Sequence, residues 1–297
     1  MSSKILVDQF SRTISYLRLS ITDRCNLRCM YCLPENVDGK GSHLKTSDIL
    51  DHEQLLTYEE LLRFVKVAVG MGMSKVRLTG GEPLIRRGVL GFIQELDRLE
   101  GLEQVRLTTN GVLLHEKAEQ LFQAGIRNLN ISLDTLQPKK FARITGKDLF
   151  SKVWRGIETA KAIGFRIKLN IVAMKGINDD EFLDFAALAL NEPLQVRFIE
   201  FMPVGANSSW NKKNFIAARD IQAMIARTHI LSPEKGVKTE GPARVFQIID
   251  TENHRGRIGF ISPISHHFCD KCNRLRLTAE GRLRSCLLSD QETDVRG

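Results

Sequence analysis

At 297 residues the chain is long enough for one large domain or two small ones, and 42% hydrophobic with 26% charged residues is the balance of a globular protein. No apolar run reaches membrane-spanning length and the N-terminus lacks the apolar core of a signal peptide, so a cytoplasmic protein is expected. The net charge of +8 is spread along the chain without a basic run; it suits a phosphorylated small molecule better than nucleic acid, and simple solubility equally well.

The first element is a strand in residues 14–22, where apolar and polar positions alternate from Leu17. It leads into Cys25-Asn-Leu-Arg-Cys29-Met-Tyr-Cys32, three cysteines spaced C-x3-C-x2-C. Three thiolates this close can hold a cubane iron–sulfur cluster and leave one iron open for chemistry. A zinc knuckle, or a disulfide with a spare thiol, is the alternative; zinc would need a fourth ligand, and none follows at ordinary spacing. Residues 34–52 are polar and glycine-containing and read as an exposed loop.

Thr57-Tyr-Glu-Glu60 is a capping box, with Leu61, Val65 and Ala68 at helical spacing behind it and Gly70 and Gly72 at the end. A strand over 75–79 runs into Gly80-Gly81-Glu82-Pro83. Two glycines let a ligand approach the backbone, and Glu82 could accept from an ammonium. The pattern then repeats: helix 88–99, strand 104–109 ending at Asn110-Gly111, helix 112–124, strand 128–134. A helix capped by Ser151 closes at Gly164, and strand 166–173, helix 179–190 and strand 194–201 follow. Six strands alternating with helices predict an α/β fold, a partial (β/α)6 TIM-like barrel, with a flat doubly wound sheet as the competing arrangement.

Strand parity adds a prediction about the barrel's interior. Successive residues face opposite ways, so Leu17, Val76, Leu78, Val105, Leu107, Leu129, Leu169 and Val196 share one face. Arg18, Arg77, Arg106, Thr108, Lys168 and Arg197 take the other. Cations in a lumen call for an anionic occupant, whereas a sheet with one solvated face gives the same alternation. Cys269, Cys272 and Cys286, spaced C-x2-C-x13-C, form a second triad near the C-terminus. It reads as a second cluster, with zinc assisted by His266 or His267 as the alternative. Asn273-Arg274-Leu275-Arg276 adds cations beside it.

With Tyr31 directly before the third cysteine, the first triad resembles the signature of the radical S-adenosylmethionine superfamily, and Gly80-Gly-Glu-Pro83 resembles that superfamily's amino-group motif. Both triads together, with Thr79-Gly-Gly-Glu-Pro83, Leu107-Thr-Thr-Asn-Gly111, Ile131-Ser-Leu-Asp134 and Phe198-Ile-Glu-Phe-Met202, resemble the GTP 3′,8-cyclase family of molybdenum cofactor biosynthesis over nearly the whole chain. The resemblance implies two 4Fe-4S clusters, on Cys25, Cys29 and Cys32 and on Cys269, Cys272 and Cys286. It implies S-adenosylmethionine at Tyr31, Gly81, Ser132 and Met202. It implies GTP at Arg18, Arg77, Thr108, Lys168, Arg274, Leu275 and Arg276, to which parity and a likeness to a lumen arginine of the family add Arg197.

The implied reaction begins with reductive cleavage of S-adenosylmethionine to a 5′-deoxyadenosyl radical, which takes hydrogen from C3′ of GTP. The C3′ radical then adds to C8, and a one-electron reduction with protonation of the resulting ring radical completes 3′,8-cyclo-7,8-dihydro-GTP. The implied partners are a flavodoxin- or ferredoxin-like electron donor and a downstream cyclic pyranopterin monophosphate synthase, with the enzyme a monomer or homodimer. Residues 1–205 would form the barrel, and 206–297 the cluster-bearing region that closes it. A radical enzyme that modifies peptides, or a zinc-containing nucleic-acid module, is the rival expectation. The family continues to a Gly-Gly tail that enters the active site, whereas this chain stops at Asp294-Val-Arg-Gly297. If the tail aids catalysis, this polypeptide is expected to bind substrate and turn over poorly.

Overall fold

The computed structural model describes residues 5–32, 50–204, 209–234, 241–252, 254–289 and 291–296. Its centre is six strands: β1 (Tyr16–Ser20), β2 (Lys75–Thr79), β3 (Gln104–Thr109), β4 (Asn128–Ser132), β5 (Arg166–Ala173) and β6 (Leu194–Glu200). All neighbouring pairs are parallel and lie in sequence order. A doubly wound sheet reverses its strand order at the centre, so this order selects the singly wound, barrel-type arrangement. The crossovers carry α1 (Tyr58–Gly70), α2 (Val89–Asp97), α3 (Leu114–Gln123), α4 (Pro138–Thr145), α5 (Phe150–Ile163) and α6 (Phe182–Asn191). Most of the expected loop over 34–52 lies outside the described residues.

Local chemistry explains where the elements begin and end. Thr57 accepts from Glu60 N at 3.2 Å, and Glu60 accepts from Thr57 N at 2.7 Å, the reciprocal capping expected for α1. Ser151 does not cap α5: it lies inside the helix, and the N-cap position is Leu149, with no side-chain bond. Strand β4 stops at Ser132, short of the expected 134, because Asp134 turns its carboxylate onto Val172 N (2.8 Å) and Tyr31 Oη (2.6 Å). Residues 179–181 form a 3₁₀ turn before α6. Helix α4 has no counterpart in the sequence pattern: its eight residues carry too short an apolar repeat, with Phe141 and Ile144 buried.

The parity expectation holds. Leu17, Leu19, Val76, Leu78, Leu107, Leu129, Ile131, Leu169, Ile171, Val196 and Phe198 have no exposed surface and join the helices in one apolar cluster. Each such side chain contributes about 1.5–3 kcal/mol of burial. Phe198 anchors one end, 5.0 Å from Phe182 and 6.0 Å from Phe260 between ring centroids.

The last third of the chain forms α7 (Ala218–Ile225), β7 (Ile230–Pro233), β8 (Arg244–Ile249), β9 (Arg255–Ile261), β10 (Arg274–Leu277), β11 (Arg282–Arg284) and β12 (Thr293–Asp294). It extends the barrel sheet at both edges: β9 pairs parallel with β6, and β10 pairs parallel with β1, in one twelve-stranded sheet. Glu200 ties the two parts together. It is 1% exposed, and its carboxylate accepts from Ala218 N (2.8 Å), Ile264 N (2.9 Å) and Ser265 N (2.9 Å).

Candidate active site

The first triad lies at the C-terminal end of β1, beside the turns that follow β2 and β3. Leu27 N points at Cys25 Sγ from 3.4 Å and Asn110 Nδ2 from 3.6 Å. Burial pushes all three thiols above the usual range; Asp134 and the neighbouring thiolates add to this at Cys29 and Cys32. A cationic iron–sulfur core would offset that cost by stabilising the thiolates, so the donor set fits a cluster. Among the described residues no group of three or more His, Cys, Asp or Glu is arranged around a single metal ion. Cubane ligands are spread over separate irons and need no such arrangement.

The Gly-Gly-Glu-Pro turn has a different role from the one its sequence suggests. A Cβ on Gly81 would lie 2.1 Å from Arg24 O, and one on Gly80, at φ +148°, would lie 2.4 Å from Thr22 O. The glycines therefore admit the backbone of the cysteine loop, which they bind through Gly81 N to Thr22 O and Glu82 N to Arg24 O, both at 2.7 Å. Glu82 is 1% exposed and accepts from Leu84 N (3.0 Å), Thr109 Oγ1 (2.8 Å) and Asn110 N (2.6 Å). Those groups, not a ligand ammonium, occupy its carboxylate, and burial pushes its pKa up to about 7. Gly81 is exposed, and Ser132 and Met202 are half-buried near the ends of β4 and β6. Tyr31 is fixed by its bond to Asp134 and an edge-on contact with Phe201. Asn170, directly opposite Ser132 in the ladder, keeps a buried Oδ1 without a partner, as a site for a polar cofactor would.

The lumen is cationic. Arg276, Arg18, Arg77 and Arg106 are register partners on β10, β1, β2 and β3, so their side chains share one face at one level. One level on, Thr108, Asn130, Lys168, Gln195 and Arg257 form a second row across β3, β4, β5, β6 and β9. Arg77 donates to Tyr16 Oη at 2.5 Å and to Thr108 Oγ1 at 3.5 Å. Arg18 Nε is buried with no partner. Burial, then the guanidinium groups of Arg276 and Arg77, push Arg18 down to about 9. Burial and Arg197 push Lys168 down to about 7. Arg197, 8% exposed, reaches Gln195 Oε1 at 3.2 Å, while Gln195 Nε2 is buried and unpartnered. Buried like charges with unsatisfied donors are unfavourable unless an anion joins them.

The second triad sits at the opposite end. Cys269 and Cys272 lie just before β10, which starts beside the N-terminal residue of β1, and Cys286 follows β11, which returns antiparallel. Cys269 and Cys286 are exposed and Cys272 is half-buried. A cavity of about 960 Å³ joins Cys272 and Arg274 to Tyr16, Lys75 and Arg106. Another, of about 640 Å³, joins Arg106 to Lys168, Gln195 and Arg197. Volumes of this size hold a nucleotide-sized ligand. Leu275 is the exception among the expected contacts: paired with Leu17, its side chain lies on the core face, and only its main chain can serve the lumen.

Arg106 shares the parity of Arg77, and that signal was present in the sequence. The contacts of Asn110 and Asp134 join distant segments that no local pattern brings together, and the orphaned Oδ1 of Asn170 shows only in the folded sheet.

Residues 19–189 match the profile of the Radical SAM superfamily, and residues 194–297 match that of Molybdenum Cofactor Synthesis C. Proteins named GTP 3′,8-cyclase from Moorella thermoacetica and Thermodesulfovibrio yellowstonii are each 47% identical to this chain, over 98% and 97% of it and 86% of each relative. Streptococcus suis SuiB bound to S-adenosylmethionine superposes with a TM-score of 0.66 at 13% identity, covering 96% of this chain and 64% of that one. Methylornithine synthase (PylB) gives 0.50 at 17% identity, over 71% of this chain and 61% of that one. The chain thus spans less than two thirds of either solved structure, and at such identity they speak for the partial-barrel fold alone. With near-full-length identity at this level, the chain belongs to the GTP 3′,8-cyclase family of radical S-adenosylmethionine enzymes, whose chemistry rests on a 4Fe-4S cluster and S-adenosylmethionine.

Proposed function

We propose that this protein cyclises GTP to (8S)-3′,8-cyclo-7,8-dihydroguanosine 5′-triphosphate, the first step of molybdenum cofactor biosynthesis. The observation that carries the proposal is the in-register row Arg276–Arg18–Arg77–Arg106, with the buried, partnerless Nε of Arg18, in a lumen that has a thiol triad at each end. Cys25, Cys29 and Cys32 hold the cluster that meets S-adenosylmethionine. Tyr31, Gly81, Ser132 and Met202 position that cofactor. Cys269, Cys272 and Cys286 hold a second 4Fe-4S cluster. When bound, these groups supply one-electron reduction, hydrogen-atom abstraction and an iron position for the guanine base.

The chain's own residues do the orienting. Arg18, Arg77, Thr108, Lys168, Arg197 and Arg276 grip the triphosphate, which neutralises their mutual repulsion. Arg274 and the Leu275 main chain approach the base near the second triad. Gripping both ends of the nucleotide fixes C3′ toward the strand ends that bear the first triad, and orientation of this kind lowers the barrier without further chemistry from the protein. The barrel of residues 1–205 and the extension of 206–297 each supply one triad, so neither is complete without the other. A flavodoxin- or ferredoxin-like protein would deliver the electron, and a cyclic pyranopterin monophosphate synthase would consume the product.

The test is anaerobic reconstitution with iron and sulfide, then incubation with GTP, S-adenosylmethionine and a reductant. A cyclised GTP product is expected together with 5′-deoxyadenosine. Formation of 5′-deoxyadenosine with no GTP-derived product, also in a chain extended at its C-terminus, refutes the cyclase assignment. Binding of zinc in place of iron refutes the radical reading itself.

A further inference from the structure

The second triad is gripped from the opposite end of the chain. Arg12 Nη1 donates to the carbonyl oxygen of Cys269, 257 positions away. That same carbonyl accepts from Cys272 N at 3.0 Å, closing the turn that brings the two cysteines together. The contact sets the guanidinium beside the turn that carries both cysteines.

Arg12 is itself fixed. Its Nε donates to Asp8 Oδ2 at 2.7 Å, and its own N–H and that of Phe10 donate to Asp8 Oδ1 at 3.0 and 2.9 Å. The turn closes through Ser11 N to Asp8 O (3.0 Å) and Asp8 N to Arg12 O (3.1 Å). Ser11 takes φ +60°, the only non-glycine residue with positive φ among the described residues. A left-handed residue with a side chain is strained, and such strain persists only where the surroundings hold it. Here the strained turn aims one guanidinium at one carbonyl. Ser15 N and Tyr16 N also bond Asn273 O, at 3.2 and 3.1 Å, so the contact continues from Arg12 into β1.

We propose that the Asp8–Arg12 turn is a clamp on the second cysteine triad, in which Arg12 holds the Cys269–Cys272 turn in its ligating shape and sets a fixed positive charge beside the two thiolates. This rests on the reading that the triad holds a cluster. Arg12 is a positioning residue: it touches neither substrate nor iron, and acts through the ligands. Holding the turn keeps both ligands in place and slows loss of iron, and the guanidinium's fixed charge acts on the cluster itself. That charge stabilises the more negative, reduced cluster and so raises the potential.

The experiment uses the reconstituted holoenzyme and follows iron release to a chelator under anaerobic conditions, with a redox titration read by electron paramagnetic resonance. S-adenosylmethionine perturbs the signal of the first cluster, and the unperturbed component reports the second. Arg12→Gln is expected to release one cluster's worth of iron about tenfold faster, the low end for loss of an outer partner of a metal ligand. At a fixed poise its reduced-to-oxidised ratio should fall. Asp8→Asn, which keeps the guanidinium, weakens its anchor and removes the paired negative charge, should speed iron release the same way without the fall in the reduced-to-oxidised ratio, and covers a failure of Arg12→Gln to fold. Ser11→Gly should retain iron as the parent does. Two clusters' worth of iron, with release unchanged in both variants and the potential unchanged in Arg12→Gln, overturns the clamp alone. A parent holding one cluster's worth of iron, undiminished in Cys272→Ala, overturns the cluster reading and the clamp with it.

Discussion

Lys168 offers the sharpest test of the cationic lumen. Burial first, then Arg197, Arg106, Arg77 and Arg257, push its pKa down to about 7, well below the ordinary value near 10.4. A bound triphosphate places negative charge beside the ammonium and raises that pKa again. Binding and protonation are therefore linked, and the sign follows: GTP binds the protonated form, so affinity falls as pH rises through the free pKa. Half the sites are protonated at pH 7 and about one in eleven at pH 8, so Kd should weaken about fivefold across that unit. The phosphates of GTP titrate near pH 6 and contribute little there, and Arg18, at about 9, is still charged. Titration calorimetry at pH 8 in two buffers of different ionisation enthalpy should show uptake of about 0.9 proton per GTP. Lys168→Arg keeps the charge at all these pH values and should abolish both the slope and the proton uptake. A Kd that is flat between pH 7 and 8, or an equal slope in Lys168→Arg, refutes the reasoning.

Three further outcomes follow from the same geometry. Arg18→Met removes a half-buried cation, its Nε buried without a partner, from between two others and should stabilise the ligand-free protein by about 1–4 kcal/mol, read as a higher Tm, while the GTP-induced Tm shift disappears; a lower ligand-free Tm contradicts this. Gly81→Ala forces a Cβ to within 2.1 Å of Arg24 O, so denaturant unfolding should show a loss of about 3 kcal/mol or more and reconstitution should yield less iron, whereas unchanged iron uptake would show that the loop tolerates displacement. Glu82→Gln turns an amide toward Leu84 N, Thr109 Oγ1 or Asn110 N and should cost about 1–3 kcal/mol at pH 8. The Glu82 pKa is raised in the fold from 4.5 to about 7, so its contribution to stability declines as pH rises through that window; the variant should flatten this part of the stability profile, and an unaltered profile assigns the slope elsewhere.

The sequence by itself determined the periodicities. Alternation within five or six residues told which side of each strand would be apolar, because neighbouring side chains on a strand must point to opposite faces. The capping box at Thr57 and both cysteine triads were equally legible, since their partners lie a few residues away. What tertiary structure decided was register and close approach. Arg276, Arg18, Arg77 and Arg106 become one row only when β10, β1, β2 and β3 pair in a particular register, and nothing within a single strand specifies that offset. Glu82 looked like a ligand group because its acceptors are local, while the donors that occupy them come from Thr109 and Asn110 on the next unit. The glycines before it looked like ligand clearance because the carbonyls they clear, Thr22 O and Arg24 O, belong to another loop. The docking of β9 and β10 on opposite edges of the barrel, and of Arg12 on Cys269, joins segments whose closeness has no local signature. Short-range pattern records which chemistry is present; only the folded ladder sets the distances at which it acts.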